Sequence, residues 1–206
     1  MRYFLFSDVH GNIDQLERFF HATVECLDPE DKYVCLGDLV HNGGQYDDVR
    51  CIEMARQYKT QLVKGNHDIA VAALIEDDTR IARLFTNPED VMYLTKAPLV
   101  VKEGSHVFAH TLTGRRLKEA EDSETEFRQM GEINPQAAAL FLGHSHNRFK
   151  SFRKDGGVIR KIEADIINVF DGAKHIVSAG TLGEYGSEHS YLIFDAGTGI
   201  VERFRL

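Results

Sequence analysis

The sequence predicts an α/β fold in which two β-sheets pack face to face, with helices outside them. Over the first half, short apolar β-like runs alternate with helical periodicity, which is typical of a parallel sheet built from right-handed crossovers. Over the second half, four glycine-containing turn signals each separate two β-like runs, as in antiparallel hairpins. A length of 206 residues favours a single domain that spans residues 1–206.

The elements of the first half begin with a buried strand at 2–6. Apolar residues then recur at helical spacing between 13 and 27, with Asn12 as a candidate N-cap. Further strands are expected at 32–36 and 61–64, and further helices at 49–58 and 69–75. Ligands of open α/β sheets bind beyond the carboxyl ends of such strands.

The second half carries the four predicted hairpins. They pair 99–101 with 106–109, 149–153 with 158–162, 166–170 with 175–178, and 191–194 with 200–204. The stretch from 113 to 134 is instead highly charged and has few apolar residues, which favours a solvated helix or a mobile loop. The alternative is a lid whose Arg115 and Arg116 approach a substrate.

Composition narrows the choice of partners. With 24 basic and 32 acidic side chains the net charge is −8, which argues against nucleic-acid polymers and anionic membranes. A small phosphorylated substrate is compatible with this charge, because a bound metal can reverse the local field. Apolar runs fall short of the roughly 20 residues that cross a bilayer, and Asp8 comes too early for a signal peptide. Three cysteines without a C-x-x-C pair fit reduced thiols, so we expect a cytoplasmic protein and leave its oligomeric state open.

Five short motifs lie where predicted strands end. They are Asp8-Val9-His10-Gly11-Asn12, Gly37-Asp38, Gly65-Asn66-His67-Asp68, Ala109-His110 and Gly143-His144-Ser145-His146. Residues i and i+2 of an extended chain point to the same side, so Asp-x-His and His-x-His can each aim two side chains at one point. Taken singly each motif is weak, but together they predict one shared site.

The side chains of these motifs suit metal ions. Carboxylate, imidazole and amide donors fit Mn, Fe, Zn, Co or Ni, and the motifs contain no cysteine for a thiolate zinc site. The donors suffice for two divalent ions if one carboxylate bridges them. Two metals about 3.5–4 Å apart can clamp the attacking and leaving oxygens of an in-line displacement at phosphorus. We therefore expect a site for two divalent transition-metal ions, with manganese as the first choice.

In this order the motifs resemble those of the calcineurin-like metallophosphoesterases, nearest the small bacterial and archaeal phosphodiesterase-like branch. The resemblance runs from Arg2 to the C-terminus and includes the run Ser178-Ala179-Gly180-Thr181-Leu182-Gly183. It implies a four-layer αββα sandwich, with two mixed β-sheets face to face, flanking helices and a dinuclear site at one edge. It also implies hydrolysis of phosphate mono- or diesters by a hydroxide that bridges the metals.

The resemblance further implies a role for each motif residue. The metal ligands would be Asp8, His10 and His146 at the first ion, Asn66, His110 and His144 at the second, and Asp38 as the bridge. His67 would protonate the leaving-group oxygen as general acid. Asp68 would either orient His67 or act only as a helix-start carboxylate, and Asn12 would either touch a phosphate oxygen or only cap a helix.

One position departs from related phosphatases. Protein Ser/Thr phosphatases and symmetrical dinucleoside tetraphosphatases carry an Arg that grips phosphate where this chain has Asn42. This departure speaks against a protein-phosphatase-like enzyme, although that reading, a nucleotide or dinucleoside polyphosphate hydrolase and a non-catalytic scaffold all stay open. His41 would either replace the missing contact or lie exposed in a loop. The other non-motif histidines, at 21, 106, 175 and 189, are expected to be structural or superficial.

Overall fold

Strands from both ends of the chain come together in the computed structural model, which describes residues 1–41, 46–77, 81, 83–117, 119–146, 150–183 and 188–206. The strands are β1 Arg2–Phe6, β2 Lys32–Cys35, β3 Gln61–Leu62, β4 Val100–Glu103, β5 His106–Ala109, β6 Ala139–Leu142, β7 Lys150–Asp155, β8 Val158–Ile162, β9 Ile166–Asn168, β10 Lys174–Ser178, β11 Ser190–Asp195 and β12 Ile200–Arg205. The helices are α1 Ile13–Thr23, α2 Tyr46–Gln57, α3 Asn66–Asp77, α4 Pro88–Lys96 and α5 Ala120–Ile133, with a 3₁₀ turn at Val24–Cys26. Asn42 lies outside the described residues.

The strands form two six-stranded mixed sheets. The first has the order β3-β2-β1-β11-β12-β9 and the second β4-β5-β6-β10-β7-β8. Strands β1, β2 and β3 are parallel in the first sheet, and β5, β6 and β10 are parallel in the second. The two predicted sheets are therefore confirmed. The two halves of the chain do not each build one sheet, because β11 and β12 return to pair beside β1.

The predicted hairpin over 166–178 is wrong. Strand β9 pairs with β12 in the first sheet, whereas β10 pairs with β6 and β7 in the second. The Asp171-Gly172 turn is a crossover between the sheets. It is held to the second sheet because Asp171 accepts hydrogen bonds from Arg153 Nε at 2.7 Å and His175 Nε2 at 2.9 Å.

Three apolar cores separate four layers. Helices α1 to α4 pack on the first sheet through residues such as Phe6, Phe19 and Phe20. The two sheets pack on each other around Phe108 and Phe141. Helix α5 covers the second sheet, which gives the αββα arrangement.

The segment from 113 to 134 is neither a wholly solvated helix nor a loop throughout. Phe127 and Met130 of α5 are buried against the second sheet, with Ser123 and Glu126 on the same face. The charged residues hide this i, i+3, i+4, i+7 pattern in the sequence. The sequence analysis did not predict helix α4. Its start nevertheless carries two signals, since Asn87 caps it by accepting the Glu89 backbone N–H at 3.0 Å and Pro88 fills its first position.

Two further properties concern the environment of the chain. None of the described helices combines the length and apolar character that a bilayer crossing requires. The three cysteines, Cys26, Cys35 and Cys51, are all free thiols, and only Cys26 is exposed.

Candidate metal centre

The five motifs follow β1, β2, β3, β5 and β6, and the parallel strands bring them to one edge of the sandwich. Hydrogen bonds join them across long stretches of chain. The His144 backbone N–H donates to Asp8 Oδ2 at 3.0 Å, and the His67 backbone N–H donates to Asp38 Oδ1 at 2.9 Å. His110 Nδ1 lies 2.8 Å from the Leu36 carbonyl, to which it must donate. The predicted site residues therefore converge in one place.

Backbone geometry marks the same residues. Six described non-glycine residues have a positive φ, and five of them are candidate ligands: Asp8 at 53°, His10 at 50°, Asp38 at 54°, His144 at 63° and His146 at 48°. Left-handed conformations are uncommon for residues with a Cβ and cluster at functional sites, where the surrounding structure holds them. The left-handed conformation of these five residues turns their side chains from the loops after the strands towards one point.

Gly37 shows why glycine is needed beside the ligands. Its φ is +96°, and a Cβ there would lie 2.6 Å from Nδ1 of His110 and 2.8 Å from the backbone nitrogen of Gly65. Any side chain at this position would push His110 away from Asp38.

The described residues contain three groups of possible metal ligands, of which two share Asp38 and the third joins His10 to His41 and His67. Ligand atoms of the first group lie within 4.8 Å of one another, as do those of the second. The first group comprises Asp8, His10, Asp38 and His146, and the second comprises Asp38, His110 and His144. The amide Oδ1 of Asn66, an exposed residue, adds a donor to the second group at 3.2 Å from His110 Nε2. The structure therefore brings together the residues of each predicted ligand set, and their binding of metal stays a prediction.

The site fits a pair of divalent cations. Asp8 is fully buried, and its Oδ1 receives no hydrogen bond from the described residues, since the nearest imidazole nitrogens lie 3.5 Å away on His146 and 3.8 Å away on His10. A buried carboxylate oxygen without a donor is costly unless a cation lies beside it. The set of carboxylate, imidazole and amide donors is one that first-row transition metals accept.

The protonation states of three candidate ligands, His10, His146 and Asp38, agree with metal binding, whereas that of Asp8 does not without a cation nearby. Burial lowers the pKa of His10 to about 3 and that of His146 to about 4, so both imidazoles are neutral near pH 7 and present lone pairs. Burial raises the pKa of Asp38, but its contact with His110 outweighs burial and lowers that pKa to about 2. Burial raises the pKa of Asp8 to about 7, a cost that a neighbouring cation would reverse.

His110 differs from the other imidazoles. Burial lowers its pKa, but the contact with Asp38 and the charges of both carboxylates outweigh burial and raise the pKa to about 9. Its Nε2 lies 3.2 Å from Asp38 Oδ2, as in an ion pair. A metal ligand must be neutral, so binding of a cation at this nitrogen would release a proton.

His67 lies at the edge of the two groups and is half-buried. Its Nδ1 is 2.6 Å from the carbonyl of His41, and because a carbonyl only accepts, Nδ1 must donate. This bond leaves Nε2 as the nitrogen that can exchange a proton with a substrate. The His67 ring packs edge to face on that of His10, with 4.7 Å between centroids.

Asp68 does not contact His67 through its carboxylate, so the prediction that it orients His67 is not supported. Its Oδ2 accepts the backbone N–H groups of Asp38 and Gly65, each at 2.8 Å, and its Oδ1 accepts those of Leu39 at 3.0 Å and Val40 at 3.2 Å. Asp68 therefore fixes the loop that carries Asp38. A sequence cannot show this role, because the bonds from Asp38, Leu39 and Val40 span a helix and a strand of the chain.

The remaining predicted residues occupy the rim. The side chain of Asn12 accepts the Gln15 backbone N–H at 3.2 Å, which is the predicted helix cap. Burial lowers the pKa of His144 and of His146, and the charge of Arg116 lowers both further. Arg115 is exposed, and its backbone N–H donates to Thr113 Oγ1 at 3.2 Å.

Sequence reasoning missed Glu126, which anchors the loop after His110. This α5 residue is completely buried, and its carboxylate accepts four hydrogen bonds. The donors are Thr111 Oγ1 at 3.2 Å, the Leu112 backbone N–H at 3.1 Å, the Thr113 backbone N–H at 3.2 Å and Thr113 Oγ1 at 2.6 Å. Glu126 thus holds the segment that leads from His110 to Arg116.

Replacing Glu126 with alanine is expected to destabilise the fold by about 1–3 kcal/mol, because four donors at half-buried residues lose their buried acceptor. We also expect weaker metal binding at His110. Thermal melts measure the loss of stability, and metal titration measures the loss of metal affinity. Glu124→Ala on the same helix removes only the exposed ion pair with Lys154 and serves as the control. Equal behaviour of the two variants would contradict the anchoring role.

Comparisons with known proteins agree with this geometry. The family model described as calcineurin-like phosphoesterase matches residues 1–181. A metallophosphoesterase from Sphaerobacter thermophilus superposes with a TM-score of 0.73 at 22% identity, covering 100% of this chain and 88% of the other. No curated protein sequence matches significantly.

Two further solved structures share the fold. A candidate diadenosine tetraphosphatase has a TM-score of 0.59 at 17% identity, covering 99% of this chain and 93% of its own. A novel archaeal phosphodiesterase has a TM-score of 0.55 at 12% identity, covering 100% of both chains. At such identities these likenesses establish the architecture, whereas the family match rests on the sequence.

Proposed function

The chain belongs to the calcineurin-like phosphoesterase family and is a metal-dependent phosphoester hydrolase, and we propose that it cleaves small phosphate mono- or diesters with two divalent metals bound. The observation that carries this proposal is the sharing of Asp38 by two groups of ligand atoms. Manganese is the ion proposed. We also propose the cytoplasm as its compartment, since free thiols fit a reducing environment.

Each group would hold one ion. Asp8, His10 and His146 would bind the first, Asn66, His110 and His144 the second, and Asp38 both. When bound, such ions polarise phosphoryl oxygens and lower the pKa of water. The chain itself fixes the ligands through strained loops and buried hydrogen bonds, so that little rearrangement is needed when substrate arrives.

His67 would supply the proton for the leaving group. Its Nδ1 is committed to the His41 carbonyl, so Nε2 is the nitrogen that we assign as donor to the departing oxygen. The charge of Arg116 lowers the pKa of His144 and of His146, and we propose that the same charge attracts the anionic substrate. An overall acidic chain would then present positive charge to its substrate at this site.

We expect the manganese-loaded enzyme to hydrolyse bis-nitrophenyl phosphate at least as well as nitrophenyl phosphate. A monoester dianion needs more positive charge than a diester, and this chain has Asn42 where related phosphatases have the phosphate-gripping Arg. Initial rates on a panel of monoesters, diesters, nucleotides and dinucleoside polyphosphates test the preference.

The double variant Arg115→Ala and Arg116→Ala is the companion to this panel. If these two arginines supply a cationic clamp in place of the missing Arg, the double variant should slow monoesters more than diesters, because the dianion needs more positive charge. An enzyme that cleaves phosphoserine peptides well and leaves diesters intact would replace the proposal with a protein-phosphatase-like function. Rapid cleavage of dinucleoside polyphosphates, with no cleavage of mono- or diesters, would favour the alternative of a nucleotide or dinucleoside polyphosphate hydrolase.

A further inference from the structure

His41 lies against two residues that the proposed function uses. Its Nδ1 is 3.4 Å from Nδ1 of His10, and its carbonyl accepts the bond from His67. The His41 and His67 rings stack, with 5.2 Å between centroids and 14° between planes. The residue is half-buried, so the expectation of an exposed loop histidine does not describe it.

The backbone of His41 is fixed from two directions. Its N–H donates to Asp48 Oδ1 at 2.8 Å, and Asp48 is 1% exposed on α2. Its carbonyl is held by His67. The imidazole therefore projects from a fixed point, with only its two side-chain torsions to set, and this favours a defined contact with His10.

The two nitrogens of His10 face different partners. Nε2 lies 3.8 Å from Asp8 Oδ1 and 3.8 Å from Asp38 Oδ2, which is the side on which the first metal would bind. A ligating nitrogen needs its lone pair, so the ring hydrogen of neutral His10 must be on Nδ1. His41 Nδ1 can accept that hydrogen when the hydrogen of His41 is on its own Nε2.

We propose that His41 is a positioning residue that accepts the Nδ1 hydrogen of His10 and thereby holds Nε2 towards the first metal. The inference rests on the proposed function, since His10 has this task only when a metal binds. Outer partners of ligating histidines commonly set their tautomer and orientation, and their loss weakens metal binding or activity about 10- to 100-fold.

Three substitutions separate the hydrogen bond from ring packing. His41→Phe keeps a ring to stack on His67 but cannot accept a hydrogen, His41→Asn keeps an acceptor near the Nδ1 position, and His41→Ala keeps neither. His21→Ala, at an exposed position of α1, is the control. Circular dichroism checks folding, and Mn²⁺ affinity is measured by competition with a chelator.

We expect the Phe and Ala variants to bind one of two Mn²⁺ ions about 10- to 100-fold more weakly, and the Asn variant to bind it more tightly than either. Saturating Mn²⁺ should restore kcat in all three, with the substrate KM unchanged. If the His41→Phe variant does not fold, the Mn²⁺ affinities of the His41→Asn and His41→Ala variants are compared instead.

Other results overturn the proposal in distinguishable ways. The role of His41 is refuted if the wild type binds two ions and the His41→Asn variant binds Mn²⁺ no more tightly than the His41→Phe and His41→Ala variants. That result leaves the proposed function standing. Three ions in wild type that fall to two in the Ala variant make His41 a ligand instead. A wild-type chain that binds no Mn²⁺ overturns both this inference and the proposed function.

Discussion

Replacing Asp38 with alanine is expected to remove most bound metal and to reduce hydrolysis to background. Asp38 is the one residue common to the two groups of ligand atoms in the described site, so its loss weakens both groups at once. Its Oδ1 also accepts the His67 backbone N–H at 2.9 Å, so the start of α3 loses an anchor. Hydrolysis of a nitrophenyl ester with excess Mn²⁺ measures the effect.

Asp38→Asn separates metal binding from folding. The amide keeps the volume and an acceptor for the His67 N–H but removes the negative charge that a bridging ligand needs. We expect this variant to melt near the wild-type temperature and still to lack activity. Asp47→Ala, on α2 with its side chain 50% exposed, should behave as wild type. Full activity of Asp38→Asn would refute the bridging role.

The second large effect is expected at His67. His67→Ala should keep its metals, because this residue is assigned to proton donation, and should slow hydrolysis of esters with poor leaving groups about 10²- to 10⁴-fold. The loss should shrink for nitrophenolate esters, because this leaving group departs with little need of a proton. Rates on alkyl and nitrophenyl esters, with metal content measured in parallel, give the comparison.

His21→Ala is the matched control for the His67 variant, as it removes an exposed imidazole far along α1. An equal loss on good and poor leaving groups would contradict the role of proton donor. Loss of metal from His67→Ala would instead make this residue a ligand, since its ring lies next to that of His10.

Local patterns predicted most of the fold. Strand β1 and helix α1 follow directly from apolar spacing and the Asn12 cap, and the β11–β12 pair follows from its glycine-rich turn. The Asp171-Gly172 turn misled, because a hairpin turn and a crossover turn share the same residues and differ only in which sheet accepts the next strand. That choice depends on partners distant in sequence.

Part of the candidate site could likewise be predicted from the sequence and part could not. Its candidate ligands lie in short motifs at strand ends, so the sequence alone shows their types and spacing. Asp68, Glu126 and His41 act through bonds to loops elsewhere in the chain, and a sequence gives no sign of those partners. The candidate ligands were predictable because each lies in a short motif of recognisable residue types. The residues that hold them in place are near them only in the folded structure.

The central claim is that the chain binds a pair of metals through a shared carboxylate. Elemental analysis of wild type and Asp38→Asn after loading with Mn²⁺ and removal of excess ion tests it most directly. We predict two ions per wild-type chain and a deficit of both in the variant, because Asp38 belongs to both ligand groups. A folded wild-type chain that retains no metal, or a variant that retains two ions, would contradict the claim.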